Sequence, residues 1–461
     1  MILHDIGGGL AGSEAAWHIA SRGLEVTLHE MRPLRTTAVH RTDRLAELVC
    51  SNSLRSDKLD NAVGLLKAEM RALGSLVMRA AERTRVPAGA ALAVDRDRFA
   101  EAITAEVTGH PLITLVREEV RRIPEPSPDK APVVIATGPL TASPFADELA
   151  GLVGQQFLSF YDAISPIVRA DTIDQTRVFR ASRWHRSLRP SGPAGEPAEV
   201  AEGDYLNCPL GAEEYARFYE ALIHAESATV HDFDRAVFFE GCLPIEVMAR
   251  RGPDTLRFGP MKPVGLVDPR TGRRAHAIVQ LRQDTLAGDH YSLVGFQTQL
   301  THGEQQRVLR LIPGLERAEF VRFGMVHRNT YINAPAVLSD TWQVRRRPDV
   351  LVAGQLSGVE GYVESAASGL LAGLHAADAA EGRPLLAPPR TTALGALAYY
   401  VSHAEPQGYQ PANITFGILP PLVSMSPHLR RDRLARKMAL ADRALKHLES
   451  WREAREARRP G

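Results

Sequence analysis

The residues that most clearly indicate chemistry are three glycines near the start of the chain. Gly7, Gly9 and Gly12 form a G-x-G-x-x-G pattern between an apolar stretch and small apolar residues at helical spacing. This order is typical of dinucleotide binding, because the glycines allow a tight turn, close approach to a pyrophosphate and close helix packing. Glu30 ends the next apolar strand, where an acid is expected to bind a ribose hydroxyl. We therefore predict a dinucleotide site at Gly7, Gly8, Gly9, Leu10, Ala11, Gly12 and Glu30.

Cys50 and Cys242 are the cysteines whose neighbours favour an accessible thiol. Cys50 follows the apolar segment 45–49, which we predict to be a short helix, and precedes a polar turn. Cys242 lies between a glycine and a Leu-Pro pair, and such residues hold a side chain on a turn. The third cysteine, Cys208, lies in a predicted strand, where we interpret it as a packing residue.

A reactive thiol at neutral pH needs a positive charge nearby. A thiol of pKa about 8.5 is only a few per cent ionised at pH 7, and lowering the pKa to ~7 requires about 2 kcal/mol. A helix terminus offers only ~0.3–1 kcal/mol. We therefore expect a cation such as Arg55, Arg250 or Arg251 beside the reactive thiol.

The rest of the chain supplies the elements that would hold these residues. An apolar strand at 133–139 ends in Ala-Thr-Gly at Gly138, as in flavoproteins with two dinucleotide-binding domains. A buried strand returns near 349 and leads through a loop with Gly354 and Gly361 into a helix of small residues. We predict an α/β fold in which a Rossmann-like, glutathione-reductase-like FAD-binding domain is split by a β-rich α+β insertion domain. The predicted ranges are 1–150 and 331–461 for the FAD-binding domain, including a basic C-terminal helix, and 151–330 for the insertion.

Two finer predictions concern the first of these ranges. The apolar stripe from Leu66 to Ala80 predicts one helix of about six turns. Segments 112–116 and 119–123 are predicted to form two strands of a meander.

Two basic segments are candidates for contact with phosphates. Arginines recur at every third position from Arg177 to Arg189, just before a Pro/Gly-rich loop at 189–203. Residues 428–461 hold eleven Lys or Arg against five Asp or Glu. Each segment is either an RNA contact or a solvated face.

Composition bounds the class of protein. The chain of 461 residues has 44% hydrophobic and 24% charged residues, which is typical of a globular protein of two or three domains. Its net charge of +1 neither indicates nor excludes binding of nucleic acid. No apolar run approaches the ~18 residues that span a bilayer. We expect no membrane anchor, leader or metal site. Three cysteines form no disulfide framework, so a cytoplasmic location is expected.

Seven segments together resemble one protein family. They are GGGLAGSEAAW, ELVCSNSLRS, VPAGAALAVDRDRFA, IATGPL, FEGCLPIEVMARRG, FGPMKPVGL and QLSGVEGYVESAASGL. Over nearly its whole length the chain resembles the TrmFO family of folate- and FAD-dependent tRNA (uracil-5-)-methyltransferases, relatives of the GidA/MnmG flavoproteins. It departs from the family pattern at His4-Asp5 in the first strand and in the length of the 189–203 loop.

The resemblance implies a cytoplasmic bacterial enzyme that forms 5-methyluridine at uridine 54 of the tRNA T loop. It implies FAD as cofactor, 5,10-methylenetetrahydrofolate as methylene donor and NADH or NADPH as reductant. The family's reactive cysteines fall on Cys50 and Cys242, with attack on uracil assigned to Cys242 and proton removal to Cys50. Tyr362, beside Gly361, is the candidate to stack on folate, the alternative being that it packs on the following helix.

Without the resemblance, a flavin site with two cysteines leaves three functions open. The first is uracil methylation through thiolate attack. A flavin-dependent dithiol oxidoreductase normally needs closely spaced cysteines, whereas 192 positions separate Cys50 from Cys242. The third is a non-enzymatic RNA-binding flavoprotein that uses the basic terminal helix. Among related enzymes, the alternative is GidA-like modification of wobble uridine, in a family that carries an added C-terminal helical region.

Overall fold

A computed structural model describes residues 1–37, 39–125, 131–154, 158–185, 203–228, 243–423 and 431–457. Cys242, Arg186, Arg189 and the predicted loop as far as residue 202 lie outside the described residues. In the part that is described, no helix is long and apolar enough to cross a membrane.

The described strands are, in chain order, β1 (Ile2–Ile6), β2 (Glu25–Glu30), β3 (Ser53–Ser56), β4 (Arg85–Val86), β5 (Ala91–Val94), β6 (Ile113–Arg117), β7 (Val133–Ile135), β8 (Leu158–Ala163), β9 (Ile167–Arg169), β10 (Phe179–Ala181), β11 (Tyr205–Leu210), β12 (Ala277–Gln283), β13 (His290–Leu293), β14 (Phe320–Arg322), β15 (Val326–Tyr331), β16 (Gln343–Val344) and β17 (Arg347–Val352). The described α-helices are α1 (Leu10–Ala20), α2 (Ala62–Ala72), α3 (Leu76–Arg83), α4 (Arg96–Gly109), α5 (Ser143–Val153), α6 (Ala212–Ile223), α7 (Ile245–Ala249), α8 (Thr255–Phe258), α9 (His302–Leu309), α10 (Ala334–Val337), α11 (Tyr362–Ala380), α12 (Ala393–His403) and α13 (Arg433–Glu456).

A six-stranded sheet carries the first glycine motif. Its order is β16-β17-β7-β1-β2-β6, and every pairing except that of β16 with β17 is parallel. Val134 in β7 pairs with Leu351 in β17, so the chain leaves this sheet and returns to it after a long excursion. All six strands of a second sheet, β9 to β14, lie within this excursion, which confirms the predicted Rossmann-like fold split by an insertion. The domain boundaries at 150 and 330 remain a prediction.

Helices α1 and α11 pack almost backbone to backbone above this sheet. A β-carbon at Gly369 would overlap the backbone of Ala11, and one at Gly373 would lie 2.6 Å from the carbonyl oxygen of Ala15. The small residues of α11 therefore serve close packing. This packing brings the N-termini of both helices to the same edge of the sheet.

The second sheet is antiparallel and has its own core. Its order is β10-β11-β12-β13-β9-β14, and helices α6, α7 and α9 cover its buried apolar side chains. Cys208 in β11 is fully buried in this core, as predicted for a packing residue, and burial raises the pKa of its thiol. Strands β8 and β15 form a separate antiparallel pair.

The prediction of one six-turn helix from Leu66 to Ala80 was wrong. Gly74 adopts a φ of +79° and ends α2, and Ser75 then caps α3 by accepting a hydrogen bond from the Met78 amide. The carboxylate of Glu14 in α1 accepts hydrogen bonds from Ser75 and the first amides of α3. The break is therefore built from a left-handed glycine and a tertiary cap.

Two other predictions of local structure were also wrong. Segment 45–49 is not helical, because the Leu45 amide donates to Thr104 and the Ala46 amide to the Gly8 carbonyl. Segment 119–123 forms no strand, and β6 pairs in parallel with β2 instead of starting a meander. Contacts with distant residues override the local apolar pattern in the first case.

Candidate functional site

A cleft of about 450 Å³ lies at the carboxyl ends of β1, β2, β7 and β17. In open parallel sheets this edge is where nucleotides bind. The predicted site residues that line the cleft are Gly7, Gly8, Gly9, Leu10, Ala11, Glu30, Cys50, Gly138, Gly354, Gly361 and Tyr362. Gly12 does not line the cleft but supports it, because a β-carbon there would overlap the Gly7 carbonyl oxygen.

The first glycine loop presents bare backbone to the cleft. Gly7 has a φ of +116°, and a β-carbon there would lie 2.5 Å from the Ala136 carbonyl oxygen. A β-carbon at Gly9 would meet no atom within 4 Å, so this position opens onto space. Gly9 precedes α1, whose start has neither a side-chain cap nor an acidic residue in its first turn. The loop therefore fits a pyrophosphate, which is attracted by the unpaired amides and dipole of the helix N-terminus.

Glu30 is held at the end of β2 by the backbone and by one arginine. Its carboxylate accepts hydrogen bonds from the Gly8 amide at 2.9 Å and from the backbone and guanidinium of Arg32. Burial would raise the pKa of Glu30, but the hydrogen bonds and charge of Arg32 hold it below its usual value. The side chain is thus an ionised acceptor at the position predicted to bind ribose.

The second glycine loop brings the N-terminus of α11 to the cleft. Gly354 and Gly361 have φ values of +75° and +111°, and the Gly354 amide donates to the Ser368 hydroxyl at 2.8 Å. Glu364, in the first turn of α11, is fully buried and forms an ion pair with Arg55. Its carboxylate also accepts a hydrogen bond from the Ile414 amide. Glu364 thereby links α11 to the strand that follows Cys50.

Tyr362, the first residue of α11, holds the cysteine turn directly. Its phenol oxygen accepts hydrogen bonds from the amides of Cys50 at 2.6 Å and Ser51 at 3.1 Å. Burial raises the pKa of Tyr362 well above its usual value. The predicted folate contact stays open, because the residue lines the cleft, but the hydroxyl has a positioning role that the sequence did not indicate.

Arg282 in β12 holds the same turn from the second sheet. Its guanidinium donates to the Asn52 side-chain oxygen at 2.7 Å and to the Ser51 hydroxyl at 2.8 Å. The Asn52 amide group in turn donates to the Gln283 carbonyl at 3.0 Å. The turn that carries Cys50 is therefore held both by α11 and by the second sheet. The sequence alone does not indicate this role for Arg282, since nothing in its local pattern distinguishes it from other strand arginines.

Arg96 and Arg322 are two cations of the described chain whose charges act on Cys50. Arg96 is paired with Asp284 at 3.1 Å and donates to the Leu48 carbonyl at 2.9 Å. Arg322 is 6% exposed, its Nε has no hydrogen-bond partner among the described residues, and burial lowers its pKa to about 10.

Neither arginine is among the predicted cations. Arg55 is paired with the buried Glu364. Arg250 and Arg251 follow α7, eight and nine positions after Cys242, which lies outside the described residues, so the prediction for these two arginines stays open. Glu246 is the last residue of the GCLPIE motif that contains Cys242. It is buried and accepts hydrogen bonds from the Thr298 hydroxyl and the Gln299 amide. Burial raises the pKa of Glu246 above its usual value.

Some arginines of the two predicted phosphate-binding segments already have hydrogen-bond or ion-pair partners within the protein. Arg177 forms ion pairs with Glu214 and Glu316. In α13, Arg443 donates to the Pro420 and Pro421 carbonyls, and Arg455 pairs with Asp378. These arginines make contacts within the fold, a role that neither predicted alternative included, and RNA contact by the two segments stays a prediction.

Comparison with known proteins gives one consistent family. A family model described as glucose inhibited division protein A matches residues 3–384. The methylenetetrahydrofolate--tRNA-(uracil-5-)-methyltransferase TrmFO of Desulforudis audaxviator is 56% identical over 448 residues, covering 97% of each chain. The TrmFO of Symbiobacterium thermophilum is also 56% identical, covering 97% of this chain and 96% of its own.

A solved structure supports the fold. GidA of Aquifex aeolicus has a TM-score of 0.68 and 18% identity, and the match covers 97% of this chain but 73% of that one.

Proposed function

This chain belongs to the TrmFO family of methylenetetrahydrofolate--tRNA-(uracil-5-)-methyltransferases, and from that membership we propose that its target is uridine 54 in the T loop of tRNA. It methylates carbon 5 of uracil in tRNA, with methylenetetrahydrofolate as the one-carbon donor and FAD as cofactor. The observation that carries the proposed mechanism is the position of Cys50. It lies on the wall of the dinucleotide cleft and is held there by the first residue of α11.

The residues of the cleft fit FAD. The amides of the Gly7–Gly12 loop would hold the pyrophosphate, Glu30 the adenosine ribose, and the loops at Gly138, Gly354 and Gly361 the rest of the cofactor. Bound FAD supplies the reducing equivalents, which NADH or NADPH replenishes. These assignments rest on the bare backbone at Gly9 and the ionised Glu30 described above.

Two thiols divide the chemistry on uracil. Carbon 5 is a poor nucleophile until a thiolate adds to carbon 6, and a base must later take the carbon 5 proton so that the thiol can leave. We assign the attack to Cys242 and the proton removal to Cys50. A thiol that acts as a base must be ionised, and the charges of Arg96 and Arg322 favour that form of Cys50.

Tyr362 serves two purposes in this proposal. Its hydroxyl fixes the backbone of the Cys50 turn. Its ring lines the cleft, where an aromatic face can stack on the pterin of the folate.

The relatives' names and coverage disfavour the alternatives. The match covers 97% and 96% of the two TrmFO chains, and both carry the name of the uracil methyltransferase. A dithiol oxidoreductase or a non-enzymatic RNA-binding protein would not explain near-full-length similarity to methyltransferases. Because the substrate is tRNA, we infer that the enzyme acts in the cytoplasm.

Transfer of a labelled methylene group tests the proposal. Purified enzyme, labelled methylenetetrahydrofolate and NADPH or NADH are incubated with a T-arm transcript or an anticodon stem-loop transcript. We expect label in the T-arm transcript at uridine 54 and none when that uridine is replaced by cytidine. Label only in the anticodon transcript would overturn the assignment in favour of the GidA-like activity.

A further inference from the structure

Segment 258–267 exposes bulky apolar side chains on the second sheet's side of the molecule. Phe258 is 84% exposed, and Val264 and Val267 are about half exposed. Trp184 is 53% exposed and packs on this segment, because a β-carbon at Gly265 would lie 2.8 Å from its ring. We call Trp184 and residues 258–267 the aromatic surface. A contiguous group of exposed apolar residues is typical of a site that binds another molecule.

A strong local positive charge surrounds the aromatic surface. Residues 250–274 hold seven Lys or Arg against two Asp, a net charge of +5 in a chain whose total is +1. Both acids are already paired, Asp254 with Arg257 and Asp268 with Arg270. Lys262, Arg273 and Arg274 are exposed and form no ion pair within the described ranges.

The aromatic surface adjoins the cleft. The Met261 carbonyl accepts a hydrogen bond from the Ile278 amide, which fixes the segment to β12, the strand that carries Arg282. Pro260 touches Gly295, a residue that lines the cleft, because a β-carbon at Gly295 would lie 2.7 Å from the Pro260 side chain. A polymer that occupies this surface can therefore extend into the site where Cys50 lies.

We propose that the aromatic surface binds a loop of the tRNA, with an unpaired base stacked on Phe258 and phosphates held by Lys262, Arg273 and Arg274. Proteins recognise single-stranded RNA through bases stacked on aromatic side chains and through cations on the backbone. The charge favours RNA over a protein partner, since +5 in one segment complements a polyanion. The inference rests on the proposed function and adds the surface that presents the substrate.

Substitutions of Phe258 test the stacking. Binding of a T-arm transcript is measured by titration for the wild type, Phe258→Ala and Phe258→Trp. We expect Phe258→Ala to weaken binding about tenfold, within the range for removal of one base stack, and Phe258→Trp to restore it. Leu434→Ala removes an exposed apolar side chain from α13 and is expected to bind like the wild type. Unchanged melting temperature and FAD content show that each variant is folded.

Charge removal tests the phosphate interactions separately. Lys262→Gln/Arg274→Gln should reduce the slope of log K against log salt by about 0.7 for each single-strand phosphate that the protein no longer neutralises. Arg431→Gln/Arg433→Gln removes two exposed cations beside and within α13 and should leave the slope unchanged. The reverse pattern would assign the tRNA to α13 and overturn the inference.

The two proposals fail in different ways. If the wild type methylates the T-arm transcript but Phe258→Ala and Lys262→Gln/Arg274→Gln bind it as tightly, the aromatic surface is not the RNA site and the proposed function stands. If the wild type binds the transcript through these residues but labels another uridine, the surface is supported and the assignment to uridine 54 is overturned.

Discussion

The phenol oxygen of Tyr362 lies 2.6 Å from the backbone nitrogen of Cys50, 312 positions earlier in the chain. The hydrogen bond joins the N-terminus of α11, at the cleft that we propose holds the cofactor, to the turn that carries Cys50, a proposed catalytic thiol. The position of the Cys50 thiol therefore depends on the same helix that borders the proposed cofactor site. Removal of the hydroxyl and removal of the ring should have different effects.

Tyr362→Phe keeps the ring but leaves two amides without their acceptor. A buried donor left unpaired costs about 1–3 kcal/mol, so the turn should loosen and methylation should slow by at least tenfold. The KM for folate and the FAD content should stay close to wild type. Tyr362→Ala should in addition raise the KM for folate. Equal folate KM values in the two variants would assign the residue to positioning alone.

Arg322→Gln should make Cys50 less reactive. Removing a buried cation whose charge acts on Cys50 lowers the thiolate fraction at pH 7, by about tenfold if the interaction is worth ~1.4 kcal/mol. The measurement is the alkylation rate of Cys50 by iodoacetamide in a Cys242→Ala background, where the buried Cys208 does not compete. Arg322→Lys keeps the charge and should alkylate faster than Arg322→Gln. Identical rates in both variants would exclude an electrostatic role.

Gly9→Val should yield folded protein without FAD. A β-carbon at Gly9 meets no protein atom within 4 Å, so the added side chain starts in open space and occupies the region that faces the helix N-terminus. The absorbance of bound flavin measures the effect. Gly109→Val, at another open glycine, is the control and should purify yellow. A yellow Gly9→Val protein with normal FAD content would contradict the assignment of the pyrophosphate site.

Asp5→Val should stabilise the protein, and more so at higher pH. Asp5 is fully buried, neither carboxyl oxygen has a partner of good geometry among the residues described, and burial raises its pKa well above the usual value. The folded state then binds the proton more tightly than the unfolded chain. The part of the free energy of unfolding that comes from protonation of Asp5 is fully present below the pKa of the unfolded chain, about 3.9. It decreases as the pH rises towards the pKa of the folded state.

Melting temperatures at pH 5 and pH 8 test this. The gain from Asp5→Val should be of the order of 1–3 kcal/mol near neutral pH and should be smaller at pH 5 than at pH 8. The same gain at both pH values would show that Asp5 does not change its protonation on unfolding.

The parts of the site that could be predicted from the sequence are those set by local backbone requirements. Gly7 and Gly361 need positive φ values and Gly12 needs close packing, and such needs leave a pattern in a single stretch of chain. The break between α2 and α3 at Gly74-Ser75 could also have been predicted, because a glycine followed by a capping serine is a typical helix end and start. The roles of Arg282 and Arg322 could not be predicted, because only the approach of the second sheet to the Cys50 turn gives these arginines a role.

The proposed roles of Cys242 as nucleophile and Cys50 as base can be separated by trapping the covalent adduct. A 5-fluorouracil ring at position 54 traps the covalent adduct, since fluorine replaces the carbon 5 proton that the base must remove. Cys242→Ala should form no adduct, because the nucleophile is missing. Cys50→Ala should form the adduct with 5-fluorouracil RNA but fail to turn over normal RNA, because attack on carbon 6 does not require the base. The adduct is detected as a band of reduced mobility in a denaturing gel. The opposite result would exchange the two roles, and an adduct in the double variant would exclude both thiols as nucleophiles.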